Sequence, residues 1–417
     1  MVGMLYVNSE RLWGRINDLA QVGAIDGTLG CSRLALTDED AEGRRLVITW
    51  MQDLGMDIAI DGIGNVVGTW YGPDTDRDLP AVMTGSHIDT VKTGGRFDGN
   101  LGVLAGLEVI ETIAEQGLSP VHPISVGFFT GEEGSRYAPD MLGSLVYVGG
   151  LGLESALDIS GIDGTKVGEE LDRIDFRGQS PCPGPIPKAF IELHIEQGPI
   201  LEAENISIGA VDSVQGISWT QITIEGQSNH AGTTPMHMRH DAGWVAGEIT
   251  SYVRHLVSEI GGNQVGTVGK IDLVPNLVNV VASKATLTVD LRNTDDEILK
   301  HAEQELANFC DTLSSQEKVQ IHREVLARFE PVAFDKALVG DVIRVSESLD
   351  ISVKQMTSGA GHDAQMFARV CPAAMIFVPS ENGLSHNPAE FTSQREIEDG
   401  SNVLLQIMAK LSGLRHD

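Results

Sequence analysis

The chain has 417 residues, 41% hydrophobic and 21% charged, enough for two globular domains and a sizeable core. Its 29 Lys+Arg against 59 Asp+Glu leave a net charge of −30, a surface that repels phosphate backbones and anionic lipid, so neither nucleic acid nor a membrane is an expected partner. Four widely spaced cysteines, Cys31, Cys182, Cys310 and Cys371, form no paired metal spacing and no disulfide framework, which points to a reducing compartment.

Taken in order, residues 1–20 carry Glu10, Arg11, Arg15 and Asp18 without an apolar h-region. No signal peptide is expected, and the cytoplasm is the expected location. Thr37-Asp38-Glu39-Asp40 opens a helix that runs to Leu54. Gly64 to Trp70 reads as a strand, and Gly72 to Arg77 as a polar turn. Leu79 to Met83 is a short apolar run of the buried parallel type. After it come Thr84-Gly85-Ser86-His87-Ile88-Asp89-Thr90 and Gly94-Gly95-Arg96-Phe97-Asp98-Gly99-Asn100, expected as a loop, then a helix over 102–114. Pro123 to Thr130 is a second buried strand, closed by Gly131-Glu132-Glu133-Gly134. Residues 151–185 read as a long irregular surface excursion, and Ala189 to Ile195 as a strand bearing His194 near its end.

The pattern changes after Ala210. Strand 217–225, helix 241–260, strands 265–271 and 285–291, helix 295–313 and strand 319–326 make the order β-α-β-β-α-β, a ferredoxin-like unit. The expected division is therefore a discontinuous first domain, 1–211 with 330–417, and an inserted domain, 212–329. A helix over 335–348, a strand over 373–378, the loop Ser385-His386-Asn387-Pro388 and an amphipathic helix over 394–411 return to the α/β style. The expected fold is α/β: a mixed, largely parallel sheet with flanking helices, plus the inserted α+β domain.

The chemistry follows from position. His87 with Asp98, Glu132 with Glu133, His194 and His386 all fall at or just past the C-terminal ends of expected buried strands. In a parallel sheet those ends share one edge, where open α/β folds hold their sites. Three histidines and two carboxylates suit two divalent metal ions sharing one carboxylate.

The stretches GSHIDTVKTGGRFDGNLGVLAGLEVI, GEEGSRY, ELHIEQGPILE, GQSNHAGTTPM, SGAGHDAQMFA and FVPSENGLSHNPAEFT together resemble the hydantoinase/carbamoylase amidases, of the larger clan of two-metal aminoacylases and exopeptidases. The resemblance covers nearly the whole chain. By pattern it is nearest to N-carbamoyl-L-amino acid hydrolases, with allantoate amidohydrolases and β-ureidopropionases as near relatives.

The resemblance implies that His87, Asp98, Glu133, His194 and His386 are metal ligands, with Asp98 bridging. It implies Glu132 as general base, Asp89 as the acid that orients the His87 imidazole, and His230 as an oxyanion-stabilising histidine. Asn279 and Arg292 would grip a substrate carboxylate, and Gln197, Gly361 and His362 would make further substrate contacts. His362, beside Asp363 at a helix start, also reads as a cap. The cofactors would be two divalent ions, zinc foremost, with manganese, cobalt and nickel as alternatives. The implied reaction is hydrolysis of the ureido group of a small N-carbamoyl-L-amino acid. Relatives also lead one to expect a non-proline cis peptide at Asp98-Gly99 and a homodimer paired through the inserted domain, with His230 acting in the opposite subunit. The reading from another class is a non-catalytic carboxylate- or metal-binding paralogue, against which stands the retained Glu132.

Overall fold

The computed structural model describes residues 4–414; residues 1–3 and 415–417 of the expected first domain lie outside them. The described strands are β1 (Asp57–Ile60), β2 (Val66–Trp70), β3 (Val82–His87), β4 (Ile124–Phe129), β5 (Ala189–Ile195), β6 (Ile208–Val214), β7 (Gly216–Glu225), β8 (Val265–Val274), β9 (Lys284–Asn293), β10 (Gln320–Phe329), β11 (Val332–Ala333), β12 (Val353–Ser358) and β13 (Ala373–Val378). They form a nine-stranded sheet, β1-β2-β4-β3-β5-β13-β6-β11 with β12 on β6, and a four-stranded sheet, β10-β7-β9-β8. The chain packs as two compact units: Ser213–Val332, and the segments on either side of it in sequence.

In the larger unit, β4, β3, β5 and β13 are parallel neighbours, with antiparallel β1, β2 and β6 outside them. This is the mixed, largely parallel sheet expected. Every residue of β3, β4, β5 and β13 is buried, which is why they read as continuous runs rather than alternating ones. Helices Asn100–Glu115 and Gln394–Ser412 pack on them. The second begins in a capping box, with Ser393 N–H donating to Glu396 and Glu396 N–H to Ser393 Oγ.

Three local readings are corrected. The strand expected to end at Met83 runs on to His87, so His87 sits on the strand itself. Its polar residues are satisfied inside the sheet: Thr84 Oγ1 donates to Ile191 O at 2.6 Å and Ser86 Oγ to Glu192 Oε1 at 2.6 Å. The stretch 151–185 is no plain surface excursion. It holds helices Leu153–Leu157 and Val167–Arg173 and buries Val167, Leu171, Ile174 and Phe176. Helices this short carry too few apolar positions to show a period. Helix Ser9–Gln21, which was not foreseen, packs Leu12, Ile16, Leu19 and Ala20 inward. Its Arg11 grips the buried Glu108 by two bonds of 2.7 Å.

The smaller unit has the element order β-α-β-β-α-β and an all-antiparallel sheet. Strand β9 alternates strictly between buried and less buried positions, as a sheet with one covered face must. Leu287, Val289 and Leu291 meet Val245, Ile249 and Leu306 of helices Ala242–Ile260 and Asp296–Glu317 in the unit's core. Its edge strands carry exposed Val265, Ile271 and Val274 on β8 and Val325 and Leu326 on β10. Among the described residues, no helix is long and apolar enough to cross a membrane.

Gly85 is where β3 and β4 approach too closely for any side chain. Its φ is +154°, and a Cβ there would lie 2.0 Å from Gly127 O. Gly85→Ala should therefore lower unfolding stability in urea by about 2–3 kcal/mol or more. Gly117→Ala, at φ +64° but facing open space, should cost only about 1 kcal/mol. Equal losses at the two positions would refute the close-approach argument.

Candidate functional site

The four parallel strands end along one edge of the large sheet. His87 closes β3, His194 is the penultimate residue of β5, and Glu132 and Glu133 follow β4. His386 stands in the loop after β13 with φ +53°.

Asp98 joins these groups. Its Oδ1 lies 3.2 Å from His194 Nε2 and 3.5 Å from His87 Nε2. Its Oδ2 lies 3.6 Å from His386 Nε2, which is in turn 3.2 Å from Glu133 Oε2. Two donor sets result, His87–Asp98–His194 and Asp98–Glu133–His386, each with its ligand atoms within 4.8 Å of one another. Imidazole nitrogens and carboxylate oxygens without a thiolate are compatible with a divalent metal site. Glu192–His194–His362 meets the same distance test. There, however, Glu192 already accepts from Ser86 Oγ and Ala364 N–H, and His362 Nε2 lies 3.0 Å from Ser358 Oγ. Hydrogen bonding accounts for that trio.

Two imidazoles are oriented by the backbone. His87 Nδ1 lies 2.9 Å from Asp89 O and His194 Nδ1 2.9 Å from Ile195 O. A proton on each Nδ1 leaves Nε2 as a lone pair turned toward Asp98. It is thus the carbonyl of Asp89 that meets the His87 ring. The carboxylate Oδ1 is 3.9 Å away and accepts Glu132 N–H at 3.3 Å instead.

Burial sets the electrostatics. It pushes Glu132 well above the usual carboxylate range, against the pull of His87, whose Nε2 is 3.4 Å from Glu132 Oε2. It raises Asp89 to about 6. At Asp98 burial acts the same way but is outweighed by the neighbouring imidazoles of His194 and His87, which hold the carboxyl well below its ordinary value. A hydrogen bond to Glu133 raises His386 to about 9. A buried carboxyl raised beside a donor set can hold and return a proton.

Gln197 donates from Nε2 to Asp98 Oδ2 at 2.8 Å, while its buried Oε1 has no partner. Its φ of +57° is strained for a side chain of this size, and such strain gathers at functional sites. Gly361 faces Met141. His362 does not cap with its side chain. Its ring sits edge-on to His194 at 4.5 Å, and burial followed by the charge of His194 pushes its pKa well down.

Several residues here went unread in the sequence. Arg33 is fully buried. It donates to Ile88 O at 2.7 Å and to Asn100 Oδ1 at 2.8 Å, bracketing the segment between His87 and Asp98. Arg136 holds the Glu132–Glu133 loop through Ala35 O and Glu170. Asp363 is buried, and burial followed by the charge of Glu192 raises it to about 8. Nothing local marks an arginine for burial, since the type is mostly exposed. Glu390, four residues after His386, was at least close in sequence to a named ligand.

In the smaller unit, a bridge pairs His230 with Val280, and Ala231 N–H donates to Asn279 O. Gly232 N–H donates to His230 Nδ1 at 3.0 Å, which leaves the ring proton on the exposed Nε2. Arg292 is elsewhere. It pairs with Ile217 at the start of β7, whereas the His230 loop follows the other end of that strand. The eight steps of β9 from Lys284 to Arg292 span about 27 Å at the usual strand rise. Nε and Nη2 of Arg292 bond Asp290, at 3.1 and 2.9 Å. Asn279 and Arg292, expected to grip one carboxylate together, are therefore not brought together within the unit.

The Asp98–Gly99 bond is trans, against expectation: the cis bonds among the described residues all precede prolines. Gly99 makes the turn with φ +67° instead. A Cβ on Gly99 would lie 2.5 Å from three atoms of the His87 ring. Gly99→Ala should displace that imidazole and weaken zinc uptake by metal-stripped protein about tenfold or more, with far-UV circular dichroism kept. Unchanged uptake would mean that the His87 set holds no ion.

The chain matches Peptidase family M20/M25/M40 over residues 83–410. It is 41% identical to an N-carbamoyl-L-amino-acid amidohydrolase of Rhizobium meliloti, over 95% of each chain. It is 35% identical to the allantoate amidohydrolase of Escherichia coli K12, over 94% of this chain and 96% of the other. A crystal structure of a hydantoinase/carbamoylase family amidase from Burkholderia multivorans superposes with a TM-score of 0.93 at 40% identity, covering 98% and 99% of the two chains. Fold, motifs and relatives agree, and the chain belongs to peptidase family M20/M25/M40, among its hydantoinase/carbamoylase amidases.

Proposed function

We propose that this protein is a metal-dependent amidohydrolase that converts N-carbamoyl-L-amino acids to the free amino acid, carbon dioxide and ammonia. The observation that carries the reading is Asp98, whose two oxygens face two separate donor sets, in a chain similar over 95% of its length to an N-carbamoyl-L-amino-acid amidohydrolase. His87, Asp98 and His194 would hold one divalent ion, and Asp98, Glu133 and His386 a second. Zinc is foremost, and the same donors accept manganese, cobalt and nickel. Bound there, such ions polarise a carbonyl and ease the loss of a proton from water.

The rest is the work of side chains. Glu132, raised by burial, takes the proton of the attacking water as its oxygen bonds to the ureido carbon. It then returns that proton to the amino-acid nitrogen as the C–N bond breaks, and the released carbamate divides into carbon dioxide and ammonia. Asp89 steadies Glu132 through its backbone N–H. His230, with its proton on Nε2, donates to the developing oxyanion. Arg292 offers the planar fork suited to a substrate carboxylate, and Asn279, Gln197, Gly361 and His362 complete the substrate contacts. The proposed location is the cytoplasm. A second reading, allantoate as substrate, is favoured by the similarity to the E. coli enzyme.

Metal-stripped protein assayed with N-carbamoyl-L-methionine should be inactive and recover with zinc, manganese, cobalt or nickel. Full activity with metal absent by elemental analysis would overturn the reading. Ammonia from allantoate without release of methionine would favour the second substrate, and binding without turnover of either would favour the non-catalytic paralogue. Glu132→Gln should lose about 10²–10⁴ in kcat with its metal content kept; a near-normal kcat would put the base elsewhere.

We also propose a two-fold homodimer through the inserted unit, with His230 serving the partner's metal site. Two features support this: the exposed apolar edge strands, and the distance along β9 between Arg292 and the His230–Asn279 cluster, about 27 Å by strand rise. A mixed dimer of Glu132→Gln and His230→Ala chains should then regain activity at one of its two sites. Confirmed subunit exchange with no regained activity would refute the trans assignment.

A further inference from the structure

Glu390 lies on the loop that carries His386, and it is 1% exposed. It reaches across to the backbone of Asp98. Its Oε1 accepts the N–H of Phe97 at 3.0 Å and of Asp98 at 3.2 Å. Its Oε2 lies 3.2 Å from Ser385 Oγ, and that hydroxyl is also 3.0 Å from Asp98 Oδ2. The opposing chain leaves room for this carboxylate: a Cβ on Gly95 would lie 2.1 Å from Glu390 Oε1. On the far side of the loop, Phe391 meets Phe97 edge-on at 5.9 Å.

The two donor sets are held in different ways. His87 and His194 end adjacent parallel strands that are paired as far as Thr84 and Ile191, and each residue is itself held in the sheet from its other side, His87 opposite Phe129 of β4 and His194 opposite Phe377 of β13. Glu133 and His386 sit on loops, and no ladder sets the distance from His386 to Asp98. The links between that loop and Asp98 run through Ser385, through Gln197, whose Nε2 reaches both Asp98 Oδ2 and Ser385 Oγ, and through Glu390, which alone among the three takes the backbone N–H of Asp98. We propose that Glu390 is a positioning residue that registers the His386 loop against Asp98, so that the Asp98–Glu133–His386 set depends on it and the His87–Asp98–His194 set does not. The inference rests on the two-cation reading above.

The test is metal affinity, measured without turnover. Metal-stripped wild type, Glu390→Ala, Glu390→Asp, Glu390→Gln and Ser385→Ala are titrated with zinc against a chromophoric chelator, and the unfolding temperature of each metal-free protein is recorded. Wild type should take two ions. Glu390→Ala should keep one near wild-type affinity and bind the other about 10–100-fold more weakly, the usual cost of losing a residue that orients a ligand. Glu390→Asp, folded but too short to reach the two N–H groups, should do the same. Ser385→Ala should lie between them and wild type. Glu390→Gln, whose amide oxygen still accepts both N–H groups, should recover most of the second affinity. Two ions bound at wild-type strength by folded Glu390→Asp would overturn the inference. So would equal weakening of both ions, or a lower unfolding temperature with the ratio of the two affinities unchanged, since either marks a merely structural residue. A wild type that takes fewer than two ions would overturn the two-cation reading, and this inference with it.

Discussion

One carboxylate faces two ways. Asp98 turns Oδ1 to imidazoles that end two parallel strands and Oδ2 to an imidazole on a loop. Several neighbours tie the segment around it to other parts of the chain. Arg33 holds the segment before and after it, Glu390 takes its backbone N–H, and Gln197 and Ser385 donate to Oδ2. A bridging group cannot be placed by one element, because its two oxygens must match groups that arrive from different parts of the chain. The sheet solves half of this, holding His87 opposite Phe129 of β4 and His194 opposite Phe377 of β13. The loops solve the rest with side chains that fold back on them.

The same arrangement gathers negative charge where water is scarce. Asp89, Asp98, Glu132, Glu192, Asp363 and Glu390 are all buried. Burying ionised carboxyls is costly unless each is paired or neutralised. The fold answers in two ways. Some carboxyls are raised by burial toward the neutral form, among them Glu132, Asp363 and Glu390. Asp98 is held ionised by the imidazoles around it. The buried guanidinium nearby, Arg33, spends its donors on carbonyls and Asn100 rather than on these acids. A site with this excess of buried acid is compatible with a divalent metal site, and so is the family to which the chain belongs.

The inserted unit obeys a different constraint. Antiparallel strands of ten residues are long, so groups at opposite ends of one sheet cannot meet a single small substrate. His230 with Asn279 stand at one end and Arg292 at the other. Local chemistry prepares each end. Gly232 N–H occupies His230 Nδ1, and Asp290 accepts from Nε and Nη2 of Arg292.

The sequence alone determined the buried strands β2, β4, β5 and β13 and the start of β3, the order of the inserted unit and which polar residues stand at strand ends. Those signals are local: continuous apolar runs, alternation, the Thr37–Asp40 helix start, and motifs such as Gly131-Glu132-Glu133-Gly134. It erred where a strand stays buried while turning polar, as from Thr84 to His87, because cross-strand hydrogen bonds from Thr84 and Ser86 replace apolar character there. It missed the two short helices within 151–185, whose burial depends on partners far along the chain. Only the tertiary structure decided that Asp89 meets His87 through its carbonyl, that Arg292 and Asn279 stand apart, and that Glu390 spans two loops nearly 300 positions distant in sequence, to the N–H of Asp98. A residue's type and its near neighbours announce its chemistry. The direction in which its side chain points, and what waits there, is set by segments that become neighbours only when the sheet closes.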